Sequence, residues 1–205
     1  MCRERPACRA LSVVALALLA LVLLSCASDG SGDEASASNP TGVAELDAII
    51  SAVERQDLET LVELVRYQQI PCRPGTEDDY IVPPGCPEAR PQGTPVEVFM
   101  SGGCHPRWVR PDGVRDAIQW DNRFVAYAVF QIEEPFETIA ADHRVVLGRP
   151  GRPDESLSAQ VGIADGGIVW LIGWCGSVLE QIASLRDIGA EPIFQASELE
   201  PSSTS

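Results

Sequence analysis

The sequence has no lysine, so all 15 of its basic residues are arginines, a bias that we attribute to genome composition. It also lacks the serine-hydrolase elbow GxSxG, the zinc-binding helix motif HExxH and both glycine-rich phosphate loops. No two cysteines have the CxxC spacing that is typical of zinc sites. The sequence therefore predicts no cofactor and no metal, and it assigns no residue a catalytic role.

Histidine is scarce as well, because His105 and His143 are the only two in the chain. His143 follows Asp142, but neighbouring residues on a strand point to opposite faces, so this pair forms no local catalytic dyad. A more distant carboxylate, such as that of Asp121, is the remaining candidate partner for His143 in proton transfer. His105 precedes a proline and is more typical of a turn than of a ligand site.

The chain contains four tryptophans, which are Trp108, Trp120, Trp170 and Trp174. Their role has two interpretations. They could line a ligand cleft. Large aromatic side chains more often pack in cores and on sheets, and the sequence favours this second interpretation.

Positive charge is also scarce, since 30 acidic residues give the chain a net charge of −15. Such an excess repels phosphate backbones and anionic headgroups, so we expect no nucleic-acid partner. It would favour cationic ligands, although high negative charge more often keeps an exported protein soluble.

No apolar run is long enough to cross a bilayer comfortably. The longest, at residues 11–24, would form a helix of about 21 Å, against a hydrocarbon core of about 30 Å. Three arginines precede this run and small residues follow it. A basic head, a short apolar core and small residues together indicate a secretory signal segment.

The apolar run ends in Leu23-Leu24-Ser25-Cys26, and this ending resembles the lipobox of bacterial lipoproteins. The resemblance implies diacylglyceryl transfer to the Cys26 thiol, cleavage before Cys26 and acylation of the new amino terminus. One acyl chain binds a membrane marginally, whereas two or three anchor a protein firmly. We therefore expect a cell-membrane lipoprotein that faces outside the cytoplasm and contacts the membrane through the lipid on Cys26. An ordinary cleaved signal and an uncleaved anchor helix are the alternatives.

The sequence divides into four segments. Residues 1–25 are the predicted lipoprotein signal peptide, and residues 26–40 are small and acidic, which predicts a flexible tether. Residues 41–195 have the size of a single domain. Residues 196–205 are predicted to form a disordered tail.

Four of the seven cysteines lie outside the leader and the lipobox. An even number in an oxidising compartment predicts two disulfides, for which three connectivities exist. We favour Cys72 with Cys86, which closes a loop rich in proline and glycine, and Cys104 with Cys175.

The apolar patterns predict an α+β domain. They place helices at 43–53, 58–65, 111–120 and 177–189, and strands at 96–100, 123–132, 143–147, 157–163 and 168–174, with a short partner strand at 108–109. This order, with the helical phrase AVERQDLETLVELV, resembles the cone-shaped nuclear-transport-factor-like fold. The resemblance implies a curved antiparallel sheet that wraps around helices. The predicted elements then give an N-terminal helical hairpin packed on a sheet of about five strands, plus a C-terminal helix that departs from the basic pattern of that fold.

Three functions remain open from the sequence. A non-enzymatic domain that binds a small ligand or a surface protein partner is the favoured function. It is supported by the predicted anchor, tether and disulfide-bonded domain and by the lack of a catalytic signature. A passive structural component of the envelope is one alternative. A small hydrolase or isomerase that uses His143 in a cone-shaped pocket is the other.

Overall fold

The structure, a computed structural model of the chain, describes residues 40–74, 83–88, 90–120, 122–133, 135–136 and 139–199. The predicted signal peptide, the lipobox with Cys26, nearly all of the predicted tether and Asp121 lie outside these residues. None of the helices that the described residues form is long and apolar enough to cross a membrane.

The described residues form four α-helices and eight strands, which confirms the predicted α+β class. The helices are α1 (Ala44–Glu54), α2 (Leu58–Leu64), α3 (Val114–Ile118) and α4 (Val178–Asp187). The strands are β1 (Gln68–Pro71), β2 (Pro95–Gly102), β3 (Arg107–Val109), β4 (Val125–Gln131), β5 (His143–Gly148), β6 (Ser158–Ala164), β7 (Gly167–Trp174) and β8 (Glu191–Gln195). Short 3₁₀ helices at Pro111–Gly113 and Ser197–Leu199 complete these elements.

Local capping signals explain where α2 and α4 begin. The Asp57 carboxylate accepts hydrogen bonds from the Thr60 N–H at 3.2 Å and the Thr60 hydroxyl at 2.8 Å, and these bonds lower the pKa of Asp57. At α4, the Glu180 N–H donates to Ser177 Oγ at 3.2 Å while the Ser177 N–H donates to the Glu180 carboxylate at 2.8 Å. This reciprocal pair is the capping box that the sequence predicts.

The strands form one sheet in the order β1-β2-β7-β6-β5-β4-β8, with β3 beside β2. The strands from β4 to β7 pair with their neighbours antiparallel. Asp165 and Gly166 turn the β6–β7 hairpin with φ angles of 48° and 66°, as a type I′ turn requires. β2 lies parallel to β7 instead, with Met100 opposite Trp170.

Both faces of the sheet are covered. One core cluster joins α1, α2 and α3 to one face, and a second joins α4 to the other. The central strands are therefore buried on both sides, as the continuous apolar run at 123–132 predicts. The half-buried strand predicted at 157–163 is wrong in this respect, because its polar residues Ser158 and Gln160 are buried too.

The predicted sheet is wrong in strand number and in direction. Its described part has eight strands rather than about five, and the β2–β7 pair makes it mixed rather than purely antiparallel. β1 follows α2 in a segment for which the sequence predicted no strand, and β8 follows α4 and pairs with β4. Both are short edge strands that contain a proline, which weakens a local strand signal.

The first residues of the predicted disordered tail are ordered. The Ala196 N–H donates to the Tyr127 carbonyl at 2.8 Å, and Leu199 packs against the cluster beneath α4. The prediction is therefore wrong for residues 196–199, and residues 200–205 lie outside the described part of the chain.

The structure contains two disulfides, Cys72–Cys86 and Cys104–Cys175, with Cα–Cα distances of 4.8 Å and 5.3 Å. Cys104 follows β2 and Cys175 follows β7. Because parallel strands end at the same edge of a sheet, the β2–β7 pairing brings these two cysteines together. Two disulfides in one chain indicate an oxidising compartment outside the cytoplasm.

Candidate ligand-binding cleft

A cleft of about 240 Å³ lies beside Trp120, between the α1–α2 link and the end of α3. Three apolar side chains that are at most 5% exposed form its floor: Val53, Leu61 and Ile118. The remaining described lining consists of two further apolar side chains and three amides: Leu58, Trp120, Gln56, Gln119 and Asn122. We refer to this site as the Trp120 cleft.

Contacts behind the cleft hold Trp120 in place. Its ring meets Phe124 edge to face, with centroids 4.7 Å apart, a geometry that the aromatic quadrupoles favour. The Ser101 hydroxyl donates to the Ala117 carbonyl at 3.2 Å, and this bond ties α3 to β2. The indole is therefore an ordered wall, because the helix before it and the ring behind it are both fixed.

An ion pair between Arg115 of α3 and Glu59 of α2 joins the two helices that border the cleft. The hydrogen bond from Arg115 lowers the pKa of Glu59, and the same bond raises the pKa of Arg115. Both side chains are at least half exposed, so solvent screens the pair and its effect on stability is small. The ion pair therefore links α2 and α3 at the surface without fixing their spacing.

Gln56 enters the cleft from a backbone conformation that side chains rarely adopt. Its φ is 55°, in the left-handed region that costs a residue other than glycine about 1–2 kcal/mol. The Gln56 N–H donates to the Val53 carbonyl at 3.0 Å, and the Leu58 N–H donates to the Gln56 carbonyl at 2.9 Å. With the bond from the Asp57 N–H to the Ala52 carbonyl at 2.9 Å, this conformation is the left-handed cap that commonly ends a helix.

The chemistry of the lining defines what the cleft can accept. None of the described side chains that line it is charged. Each amide offers both donors and an acceptor, while the indole and the floor offer apolar surface. Small-molecule sites typically combine an apolar lining with a few placed polar groups. The described lining therefore offers apolar surface and several hydrogen-bonding groups to a small ligand.

His143 lines a different cleft, of about 290 Å³, together with the carboxylates of Glu45, Asp142 and Asp165. In the part of the chain that the structure describes, its imidazole forms no hydrogen bond or ion pair with these groups. The Asp142 carboxylate accepts a hydrogen bond from the Asp165 N–H at 3.4 Å instead. The hydrolase or isomerase hypothesis predicts a carboxylate within hydrogen-bond reach of His143. Its named candidate, Asp121, lies outside the described residues, so this hypothesis stays a prediction.

The other residues singled out from the sequence lie away from the Trp120 cleft. His105 is exposed in the bend between β2 and β3. Trp170 is fully buried, and Trp108 packs against two core clusters, so the packing interpretation is confirmed for both. Trp174, at the end of β7, is 38% exposed.

Sequence reasoning missed the three amide residues of the cleft, Gln56, Gln119 and Asn122. None of them belongs to a motif. They come together because the α1–α2 link and the end of α3, which are distant in sequence, border the same cleft. The one local signal is at Gln56, because only Arg55 and Gln56 separate α1 from the capping residue Asp57. So short a link requires a sharp backbone reversal.

The comparisons with known proteins identify no relative: the chain matches no protein-family model, and neither a curated protein nor a solved structure shows significant similarity to it. Among the described residues, no group of three or more histidine, cysteine, aspartate or glutamate side chains is placed to hold a metal ion. The resemblances to the lipobox and to the nuclear-transport-factor-like fold stay predictions.

Proposed function

We propose that the chain is a lipid-anchored lipoprotein outside the cytoplasm, and that its globular domain binds a small neutral ligand in the Trp120 cleft without catalysing a reaction. The observation that carries the binding role is the cleft lining, which combines a buried apolar floor, an ordered indole and three uncharged amides. The signal segment and the Cys26 sequence support the anchor. The two disulfides support the compartment.

The lining also limits the class of ligand. A charged group would lose hydration in the cleft without gaining an opposite charge from the described lining, which is unfavourable. A hexose ring fits these demands, because one face carries C–H groups that stack on an indole and its hydroxyls match amide donors and acceptors. We therefore propose neutral sugars or similarly sized polar rings as ligands.

Equilibrium dialysis of the full-length chain in detergent, against a panel of neutral hexoses, tests this function. Each hexose is paired with its phosphate ester as a charged counterpart. We expect saturable binding of at least one neutral member, about tenfold or more stronger than binding of its ester. Trp120→Ala should weaken that binding by about tenfold, because it removes the stacking surface.

Trp174→Ala is the matched control, since Trp174 is an exposed tryptophan outside the cleft. It should leave the dissociation constant unchanged. Failure of every neutral ligand to bind, or an equal loss in both variants, would contradict the binding role. The passive envelope component would then be the better account.

A further inference from the structure

Arg144 lies on β5 with its guanidinium next to two aromatic rings. Its Cζ is 5.3 Å from the centroid of the Trp170 ring and 5.9 Å from that of Phe136, and the two ring centroids are 5.1 Å apart. Distances within about 6 Å are those of cation–π contacts. Gly162 on β6 lies opposite both Arg144 and Trp170, and its missing side chain leaves the space that the indole fills.

The charge of Arg144 has no acidic partner among the residues that the structure describes. Among the described residues, no carboxylate lies within ion-pair distance of it, and its Nε is buried without a hydrogen-bond partner. Burial lowers the pKa of Arg144, but an arginine stays protonated at physiological pH. Charges taken out of water are normally paired. The chain has 30 acidic residues, yet none of the described ones forms an ion pair with Arg144.

A second donor in the same cluster also lacks an acceptor. Trp170 is fully buried, and its Nε1 has no hydrogen-bond partner in the described structure. Buried indole N–H groups normally find a partner. The cluster therefore has hydrogen-bond donors without acceptors, although the chain as a whole is rich in acidic acceptors.

The outer end of the guanidinium is open to a ligand. Arg144 is partly exposed, and unlike Nε its two terminal nitrogens are not among the buried unpartnered atoms. Together they form the planar fork that binds a carboxylate through two hydrogen bonds. Phe136 is also partly exposed and provides apolar surface next to this fork.

We propose that Arg144 and Phe136, which pack against the buried ring of Trp170, form a binding site for a carboxylate that carries an apolar or aromatic group. The carboxylate accepts two hydrogen bonds from the Arg144 fork, and the apolar group packs against Phe136. The site belongs to the core cluster on the α4 face, whereas Trp120 packs with the cluster on the α1–α3 face. It is therefore distinct from the Trp120 cleft and does not depend on the proposed function.

NMR titration of the indole N–H signals of the full-length chain in detergent tests this site. The signals of Trp170 and Trp120, two of the four tryptophans, are assigned by their loss in Trp170→Phe and Trp120→Phe. Benzoate is the probe, and benzamide is its neutral counterpart of similar shape. We expect a saturable shift of the Trp170 signal with benzoate, about tenfold or more weaker affinity for benzamide, and no shift of the Trp120 signal.

Substitutions at Arg144 separate its charge from its shape. Arg144→Gln should weaken benzoate binding by about tenfold or more. Arg144→Lys keeps the charge without the fork, so its affinity for benzoate should lie between those of the wild type and Arg144→Gln. Arg107→Gln removes an exposed strand arginine outside the cluster and should change nothing. If Arg144→Gln does not fold, the benzoate-to-benzamide ratio of the wild type and of Arg144→Lys decides the question.

Equal affinities for benzoate and benzamide, an absent Trp170 shift or unchanged binding by Arg144→Gln would overturn the carboxylate site. The Trp120 signal and the hexose measurements report on the other cleft. Failure of the carboxylate site is therefore distinguishable from failure of ligand binding in the Trp120 cleft.

Discussion

At the scale of single residues, Gly162 marks a tightly packed position on the α4 face of the sheet. A Cβ at this position would overlap the indole of Trp170, which is fully buried and in contact with Phe136 and Arg144. Gly162→Ala should therefore lower the free energy of unfolding by about 1–3 kcal/mol, the usual cost of overpacking a core. Urea denaturation followed by tryptophan fluorescence measures this change.

Gly103→Ala is the control for that substitution. A Cβ at residue 103 would meet no heavy atom within 4 Å, so we expect a change within about 0.5 kcal/mol. Wild-type stability in Gly162→Ala would mean that the indole moves aside freely, and the tight packing inferred around Trp170 would be wrong.

Single residues also show the limit of what the sequence predicts about the candidate sites. Trp120 was identified as an aromatic that could line a cleft, but its sequence neighbours did not distinguish it from Trp170, which is fully buried. Gln56, in the link between α1 and α2, reaches the same cleft because α2 packs against α3. No local pattern contains that contact.

At the scale of elements, the capping box of α4 offers a test with a control in the same helix. Ser177→Ala removes the acceptor of the Glu180 N–H and should destabilise the domain by about 0.5–2 kcal/mol. Ser184→Ala changes an exposed serine within α4 and should cost nothing, because alanine is the better helix former. Thermal denaturation of the two variants measures the difference, and equal melting temperatures would show that the cap contributes nothing.

The elements that the sequence predicts well carry strong local signals. The capping box begins α4 where expected, and the turn at Asp165 and Gly166 joins β6 to β7. β1 and β8 escape prediction because each is short, contains a proline and is paired through a strand distant in sequence. Pairing partners of this kind are a property of the fold rather than of the segment.

At the scale of the whole molecule, the two disulfides close loops of different length. They join cysteines 14 and 71 residues apart, and the chain-entropy argument gives about 3 kcal/mol for the shorter loop and about 4 kcal/mol for the longer. Replacing Cys104 and Cys175 by serine should therefore destabilise the domain more than replacing Cys72 and Cys86. Urea unfolding of the two double variants under oxidising conditions compares them, and the reverse order would contradict this account.

The arrangement of the whole sheet is what the sequence predicts least. The α+β class follows from the apolar patterns, but the parallel contact between β2 and β7 joins residues about 70 positions apart, such as Met100 and Trp170. The predicted Cys104–Cys175 pair pointed to the same proximity. It did not reveal the direction of the strands.

The most direct test of the proposed anchor is the intact mass of the mature protein recovered from membranes. We expect a chain that begins at Cys26 and carries diacylglyceryl and amino-terminal acyl groups. Cys8→Ser changes a cysteine of the leader and should leave the mass of the mature chain unchanged. Cys26→Ser should give a chain without these lipid groups. A mature chain recovered in the soluble fraction with residue 26 unmodified would contradict the claim that this domain is tethered to the membrane by lipid.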